Sequence, residues 1–190
     1  MVINIYKIDP DNEMTGLLPC DNDQWYQLAK DGFIAEPMRE RWEEASFYIE
    51  GPVTRIRTDF IHVTAGILAF TRRVHDSRIG EMFGECGEIL SANVSDTGEQ
   101  IYIFNPLMCY NCLDRENSKL RMVGEVLVQV LKYQFFPERI GYSVFKIPDL
   151  RRAPIFTISG RVPEGNEFYS HYKKEGFTGL KFDQVWASKK

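Results

Sequence analysis

The chain lacks the short motifs by which many enzymes are recognised. It contains no Gly-x-Gly-x-x-Gly, P-loop, Gly-x-Ser-x-Gly or His-Glu-x-x-His pattern, which would indicate a dinucleotide, nucleotide, hydrolase or zinc-protease site. Its three histidines are far apart in the sequence. We therefore expect a protein that is not an enzyme and has no cofactor. An enzyme with a dispersed Cys/His or carboxylate site is the alternative, because distant residues can still meet in space.

Signals for export and for membrane anchoring are also missing. The N-terminus alternates apolar and polar residues like a strand and lacks the basic and long apolar regions of a secretory signal. The longest apolar run, around Gly66 to Phe70, is far too short to span a bilayer. We expect a cytoplasmic protein with no membrane partner. In that compartment its four cysteines are reduced thiols.

Cys109 and Cys112 form the motif that most resembles a metal or redox site. A structural zinc site normally needs two such pairs, or one pair with suitably spaced histidines, and the chain has neither. On an extended strand, residues three apart point to opposite faces, so both thiolates reach one metal only across a tight turn. The sequence therefore predicts two thiols in or near a sheet and no metal.

Negative charge is concentrated in the first 50 residues. This portion holds 11 acids and 4 bases, whereas the remainder holds 16 acids and 19 bases. The balance disfavours nucleic acid as a partner. A solvated acidic face is the usual meaning of such a pattern, and attraction of a basic protein partner is the functional alternative. The candidate partner-binding residues are Asp9, Asp11, Glu13, Asp21, Asp23, Glu43 and Glu44.

Apolar periodicity predicts an α+β fold with a mostly antiparallel sheet and two or three helices, in a single domain over residues 1–190. The predicted helices are a short one from Asp21 or Asp23 to Ala29, one at 71–83 capped by Thr71, and one at 164–175 ended by Gly176. The predicted strands are 2–8, 47–49, 66–70, 88–94, 100–104, 107–113, 122–133, 142–147, 155–159 and 180–186.

The closing segment, Lys174 to Trp186, resembles the end of the bacterial immunity protein 11 family. Members of that family end in a helix, then Gly-Leu-Thr-Gly-Leu, an aromatic residue two positions on and an apolar pair; here Phe177 replaces the Leu. Three earlier segments are similar to the family in the same order: Thr58-Asp59-Phe60, 105–118 and 155–159. The resemblance covers roughly residues 55–186, and the acidic first 50 residues match nothing in the family.

This resemblance implies a protein that binds a cognate toxin in the producing cell and blocks it, a function that needs no catalytic residue. The acidic N-terminal portion is then expected to meet a basic face of the toxin, and reversing Asp9, Asp11 and Glu13 together is predicted to slow association. The glycines and apolar residues of the closing segment are interpreted as structural. A small-molecule-binding or regulatory module remains the alternative function, since the aromatic content would suit a pocket.

Overall fold

Twelve strands and four α-helices form the part of the chain that the computed structural model describes, residues 2–11, 16–30, 32–52, 55–64, 66–161 and 166–188. The strands are β1 (Asn4–Pro10), β2 (Leu17–Pro19), β3 (Ala45–Ile49), β4 (Phe60–Ile61), β5 (Leu68–Thr71), β6 (Gly87–Val94), β7 (Glu99–Pro106), β8 (Lys119–Val123), β9 (Val126–Lys132), β10 (Val144–Phe145), β11 (Ile155–Ser159) and β12 (Leu180–Ala187). The helices are α1 (Asn22–Lys30), α2 (Arg72–His75), α3 (Arg78–Cys86) and α4 (Phe168–Lys174).

The strands form three sheets. A six-stranded sheet has the order β2-β3-β6-β7-β5-β4, and a four-stranded sheet has the order β10-β11-β1-β12. β8 and β9 form a separate two-stranded hairpin. Only the β3–β6 pair is parallel among the described strand pairs. The predicted α+β class with mostly antiparallel pairing is therefore confirmed.

Three apolar clusters hold these layers together. The first lies between α1 and one face of the six-stranded sheet, with Trp25 and Phe47 at its centre. The second joins the other face of that sheet to α3, α4 and the four-stranded sheet, and Phe83 stacks on Phe104 with their ring centroids 3.9 Å apart. The third covers the remaining face of the four-stranded sheet with loop residues and the inner side of the hairpin. The aromatic content of the sequence is thus used largely for packing.

The helix predicted at 71–83 is two helices with a break between them. α2 ends at His75, and Ser77 then caps α3 by accepting a hydrogen bond from the Ile79 N–H at 3.1 Å. Thr71 precedes α2 but makes no side-chain cap bond, and its hydroxyl is buried without a partner. The apolar spacing continues through both helices, which is why periodicity alone did not reveal the break.

Two predicted strands are not single strands in the structure, and the one predicted at 142–147 is reduced to β10. Residues 107–113 form no strand: they make isolated bridges only, and the Cys112 N–H donates to the Tyr110 carbonyl at 2.9 Å, which folds the chain back on itself. Residues 122–133 are not one strand, because the chain turns at Gly124, whose φ is +59°. The Val-x-Val alternation, which favoured a strand, lies in β9 of the β8–β9 hairpin.

The end of the chain folds as predicted. α4 is shorter than expected, Gly176 follows it with a φ of +65°, and β12 pairs along β1. Gly179 has a φ of +97°, and a Cβ there would lie 2.0 Å from the Phe60 carbonyl oxygen. Glycine is therefore required at position 179 both by its backbone conformation and by the close approach of β4.

Candidate partner-binding surface

Helix α1 carries the first part of an acidic cleft. Asp21 caps the helix: its Oδ1 accepts hydrogen bonds from the N–H groups of Asp23 and Gln24 at 2.9 and 3.0 Å. Trp25 and Leu28 turn inward to the first apolar cluster. Since these apolar residues fix which side of the helix faces the sheet, Asp23 remains exposed on the outer side.

The segment that faces α1 is held by a buried carboxylate. Glu88 accepts hydrogen bonds from the Met38 N–H at 2.7 Å, the Arg39 N–H at 3.2 Å and the Asn105 amide at 2.9 Å. Burial by itself raises the pKa of Glu88, but these hydrogen bonds outweigh it and hold the pKa below its ordinary value. Glu88 is therefore an ionised anchor for the short helical turn at 39–41.

The cleft itself lies between α1 and the residues that follow this turn. It has a volume of about 560 Å³, and its lining includes the carboxylates of Asp21, Asp23 and Glu43, the guanidinium of Arg41 and the side chain of Leu28. Among the described residues, neither Asp23 nor Glu43 forms an ion pair. The cleft therefore offers available negative charge.

The other predicted partner-binding residues lie outside this cleft. Asp9 and Asp11 are at the end of β1 in the four-stranded sheet, where Lys7 Nζ lies 2.6 Å from Asp9 and Lys181 Nζ lies 3.0 Å from Asp11. Glu44 is exposed next to the cleft. Glu13 lies outside the described residues. Tertiary structure thus brings three of the seven acids together.

The closing segment and the Thr58-Asp59-Phe60 segment are joined by hydrogen bonds. Arg73 donates to Asp59 at 2.8 Å and to the Glu175 carbonyl at 2.9 Å, and its guanidinium lies 4.7 Å from the centre of the Phe177 ring. Asp59 in turn accepts from both the N–H and the hydroxyl of Thr178. These contacts are within the fold, in agreement with the structural interpretation of the closing segment.

Cys86 and Cys112 are buried, Cys109 is half-buried and Cys20 is exposed. All four are free, and burial raises the pKa of both Cys86 and Cys112 to about 12, so these two thiols are protonated at neutral pH. Within the described ranges, no three potential metal ligands come together. Cys109 forms an isolated bridge with Lys146, a fully buried lysine that sequence reasoning did not single out.

The β8–β9 hairpin is a surface that sequence reasoning missed. Eight large hydrophobic side chains are exposed in the described part of the chain, and five of them lie on this hairpin. The five are Met122, Val123, Val126, Val128 and Leu131. A sequence signal was present, because Gly124-Glu125 forms a two-residue turn between two apolar runs, whereas the alternation predicted one continuous strand over 122–133.

The helices in the described part of the chain are all too short or too polar to cross a membrane. Neither the known protein-family models nor the curated proteins give a match to this chain. The resemblance to the immunity protein 11 family therefore stays a prediction.

Proposed function

We propose that this protein binds a cognate toxin as an immunity protein and neutralises it by steric and electrostatic blocking. The observation that carries the proposal is the cleft beside α1, which Asp21, Asp23 and Glu43 line together. Blocking requires a rigid complementary surface and no reactive group. The cap of α1 and the Glu88 anchor supply that rigidity on both sides of the cleft.

Charge complementarity defines the expected partner. Carboxylates that have no internal ion pair can pair with lysine or arginine of another protein without first breaking a contact of their own. A basic partner face is also attracted from a distance, which raises the association rate by about 10- to 1,000-fold at low salt. We therefore expect the toxin to present basic side chains to this cleft.

The test is co-expression with the product of the gene directly upstream. The wild-type chain is expected to co-purify with that product and to rescue growth of cells that express it. The cleft variant is Asp21→Asn, Asp23→Lys and Glu43→Lys combined; asparagine keeps the helix cap while the charge changes. We expect this variant to associate at least about tenfold more slowly and to rescue poorly.

A matched control changes the same amount of charge elsewhere. Glu99→Gln, Glu116→Lys and Glu138→Lys replace three exposed acids that do not line the cleft. This control is expected to associate and rescue like the wild type. Equal loss in both variants would show a net-charge effect and contradict the cleft as the binding site. Wild-type protein that neither binds nor rescues would contradict the proposed function.

A further inference from the structure

The β8–β9 hairpin exposes apolar side chains at its tip. Val123 and Val126 flank the Gly124-Glu125 turn, and they are 63% and 56% exposed. These are the two most exposed large hydrophobic residues of the hairpin. Concentrated apolar exposure of this kind marks an interaction surface more often than an accident of folding.

The two faces of the hairpin differ in composition. Leu120, Leu127 and Val130 turn inward and pack in the third apolar cluster. Because β8 is regular and alternate residues share a face, Lys119, Arg121 and Val123 lie together on the outer face. Their cross-strand partners are Lys132, Gln129 and Val126 respectively. The outer face therefore combines three cations with two tip valines.

On the outer face the two tip valines and the three cations occupy different positions, while Met122, Val128 and Leu131 are exposed elsewhere along the hairpin. The valines are at the tip, Arg121 is two residues behind Val123, and Lys119 with Lys132 is at the base. At about 3.3 Å per residue, Arg121 stands roughly 7 Å behind the tip and the two lysines about 13 Å behind it.

These observations fit an anionic lipid surface. Interfacial segments bury apolar side chains about 5–10 Å deep while lysine and arginine contact the anionic headgroups. Entry of the two valines to that depth would bring Arg121 to the phosphate level. We propose that the β8–β9 hairpin attaches this protein to membranes rich in anionic lipid, by shallow insertion of its tip. This proposal departs from the sequence-based expectation of no membrane partner and is independent of the proposed toxin binding.

Two features limit the insertion to the hydrated interface. Glu125 lies at the tip, and its carboxylate is repelled by anionic headgroups. In addition, among the described residues no hydrogen bond joins an outer edge of β8 or β9 to another element. Unpaired backbone groups are not tolerated in the hydrocarbon core, so only the tip enters and the edges remain in contact with water.

Vesicle co-sedimentation of the full chain tests the proposal. We expect binding to vesicles of equal parts phosphatidylglycerol and phosphatidylcholine, and little binding to pure phosphatidylcholine. The triple variant Lys119→Gln, Arg121→Gln and Lys132→Gln should bind the anionic vesicles about a hundredfold more weakly. Val123→Ser with Val126→Ser should weaken binding about tenfold. Glu125→Gln should tighten it severalfold, a change that mere damage to the hairpin would not produce.

Matched controls remove the same kinds of group elsewhere. Arg55→Gln, Arg57→Gln and Lys174→Gln neutralise three other exposed cations, and Tyr26→Ser with Tyr48→Ser removes two other exposed hydrophobic side chains. Both controls should bind like the wild type, and urea unfolding should show every variant folded. Absence of wild-type binding to anionic vesicles would overturn the proposal. Hairpin variants that bind anionic vesicles as well as the wild type does would also overturn it. Hairpin variants that lose binding only to the upstream gene product would overturn it as well, and would make the hairpin a protein-docking surface.

Discussion

The carboxylate of Asp59 accepts two hydrogen bonds from Thr178, one from its N–H at 2.9 Å and one from its hydroxyl at 3.1 Å, although the residues are 119 positions apart. Phe60 N–H donates to the Thr178 carbonyl in the same region. The start of β4 is thereby joined to the loop that leads into β12. This link connects the six-stranded sheet to the four-stranded sheet.

Asp59→Ala should lower the free energy of unfolding by about 2–3 kcal/mol, because the buried Asp59 carboxylate no longer accepts the two hydrogen bonds of Thr178. The lost ion pair with Arg73 contributes the smaller share, since that arginine side chain is 57% exposed. Urea unfolding measures the change. Glu116→Ala, at an exposed residue, is the control and should stay within about 0.5 kcal/mol of the wild type. An equal loss of stability in both variants would contradict a stabilising role for the Asp59–Thr178 hydrogen bonds.

Gly179→Ala and Gly176→Ala should differ strongly in their effect on stability. Both residues have positive φ, but a Cβ at 179 meets the Phe60 carbonyl oxygen, whereas a Cβ at 176 has no atom within 4 Å. We expect a loss of about 1–2 kcal/mol for Gly176→Ala, which is the cost of the left-handed conformation. Gly179→Ala should lose at least about 3 kcal/mol, since the backbone must move as well. Thermal or urea unfolding that ranks them in the reverse order would contradict the structure.

Ser77→Ala should destabilise the protein by about 1 kcal/mol, because the Ile79 N–H loses its cap at the start of α3. Thr71→Val is the matched comparison. The Thr71 hydroxyl is buried without a hydrogen-bond partner, so replacing it with a methyl group should leave stability unchanged or raise it. Comparable destabilisation by both changes in urea unfolding would mean that Thr71, as the sequence predicted, also acts as a cap.

Lys146 should make stability increase with pH in the mildly alkaline range. Burial lowers its pKa to about 8, so above this pH the folded state releases a proton that the unfolded state retains up to its ordinary pKa of 10.5. Because the unfolded state then binds more protons, the free energy of unfolding contributed by this group rises with pH, with a slope approaching about 1.4 kcal/mol per unit.

Lys146→Met removes this effect and provides the test. Urea unfolding between pH 7.5 and 9 is the suitable measurement. Above the ordinary thiol pKa of 9.0, the raised pKa values of Cys86 and Cys112 make stability fall as pH rises. This fall would hide the increase in stability that Lys146 contributes. As pH increases, the free energy of unfolding of the wild type should rise relative to that of Lys146→Met. The variant Lys119→Met, at an exposed lysine, should show the same pH dependence as the wild type. A constant difference between wild type and Lys146→Met would contradict a lowered pKa.

Charge reversal at Asp9 and Asp11 should leave toxin association nearly unchanged, in contrast to the cleft variant. These two carboxylates are already paired with Lys7 and Lys181 on the sheet surface. Stopped-flow association over a range of salt concentrations distinguishes the two variants, because only the loss of attracting charge reduces the salt dependence of the rate. A slower rate for the Asp9 and Asp11 variant would restore the original hypothesis that the end of β1 meets the toxin.

Several elements could be predicted from the sequence because each depends only on neighbouring residues. The strict alternation of β6, the turn between β6 and β7, the cap of α1 and the glycine after α4 could each be read from a few neighbouring residues. The α+β class followed from the order of these elements. The count of helices changed, because a break such as the one before Ser77 leaves apolar spacing intact, and two predicted strands became irregular chain at 107–113 and part of a hairpin at 122–133.

Long-range pairing decided the remainder. Composition identified the acids, but only the packing of α1 against the segment after Arg41 brought Asp21, Asp23 and Glu43 together, while Asp9 and Asp11 were neutralised by lysines. The valines of β9 have the alternation of a core strand, and no local rule states whether a layer will cover them. Burial depends on what the rest of the chain places against a face. For that reason the sequence determined the elements, and the tertiary structure decided which surfaces remain available for binding.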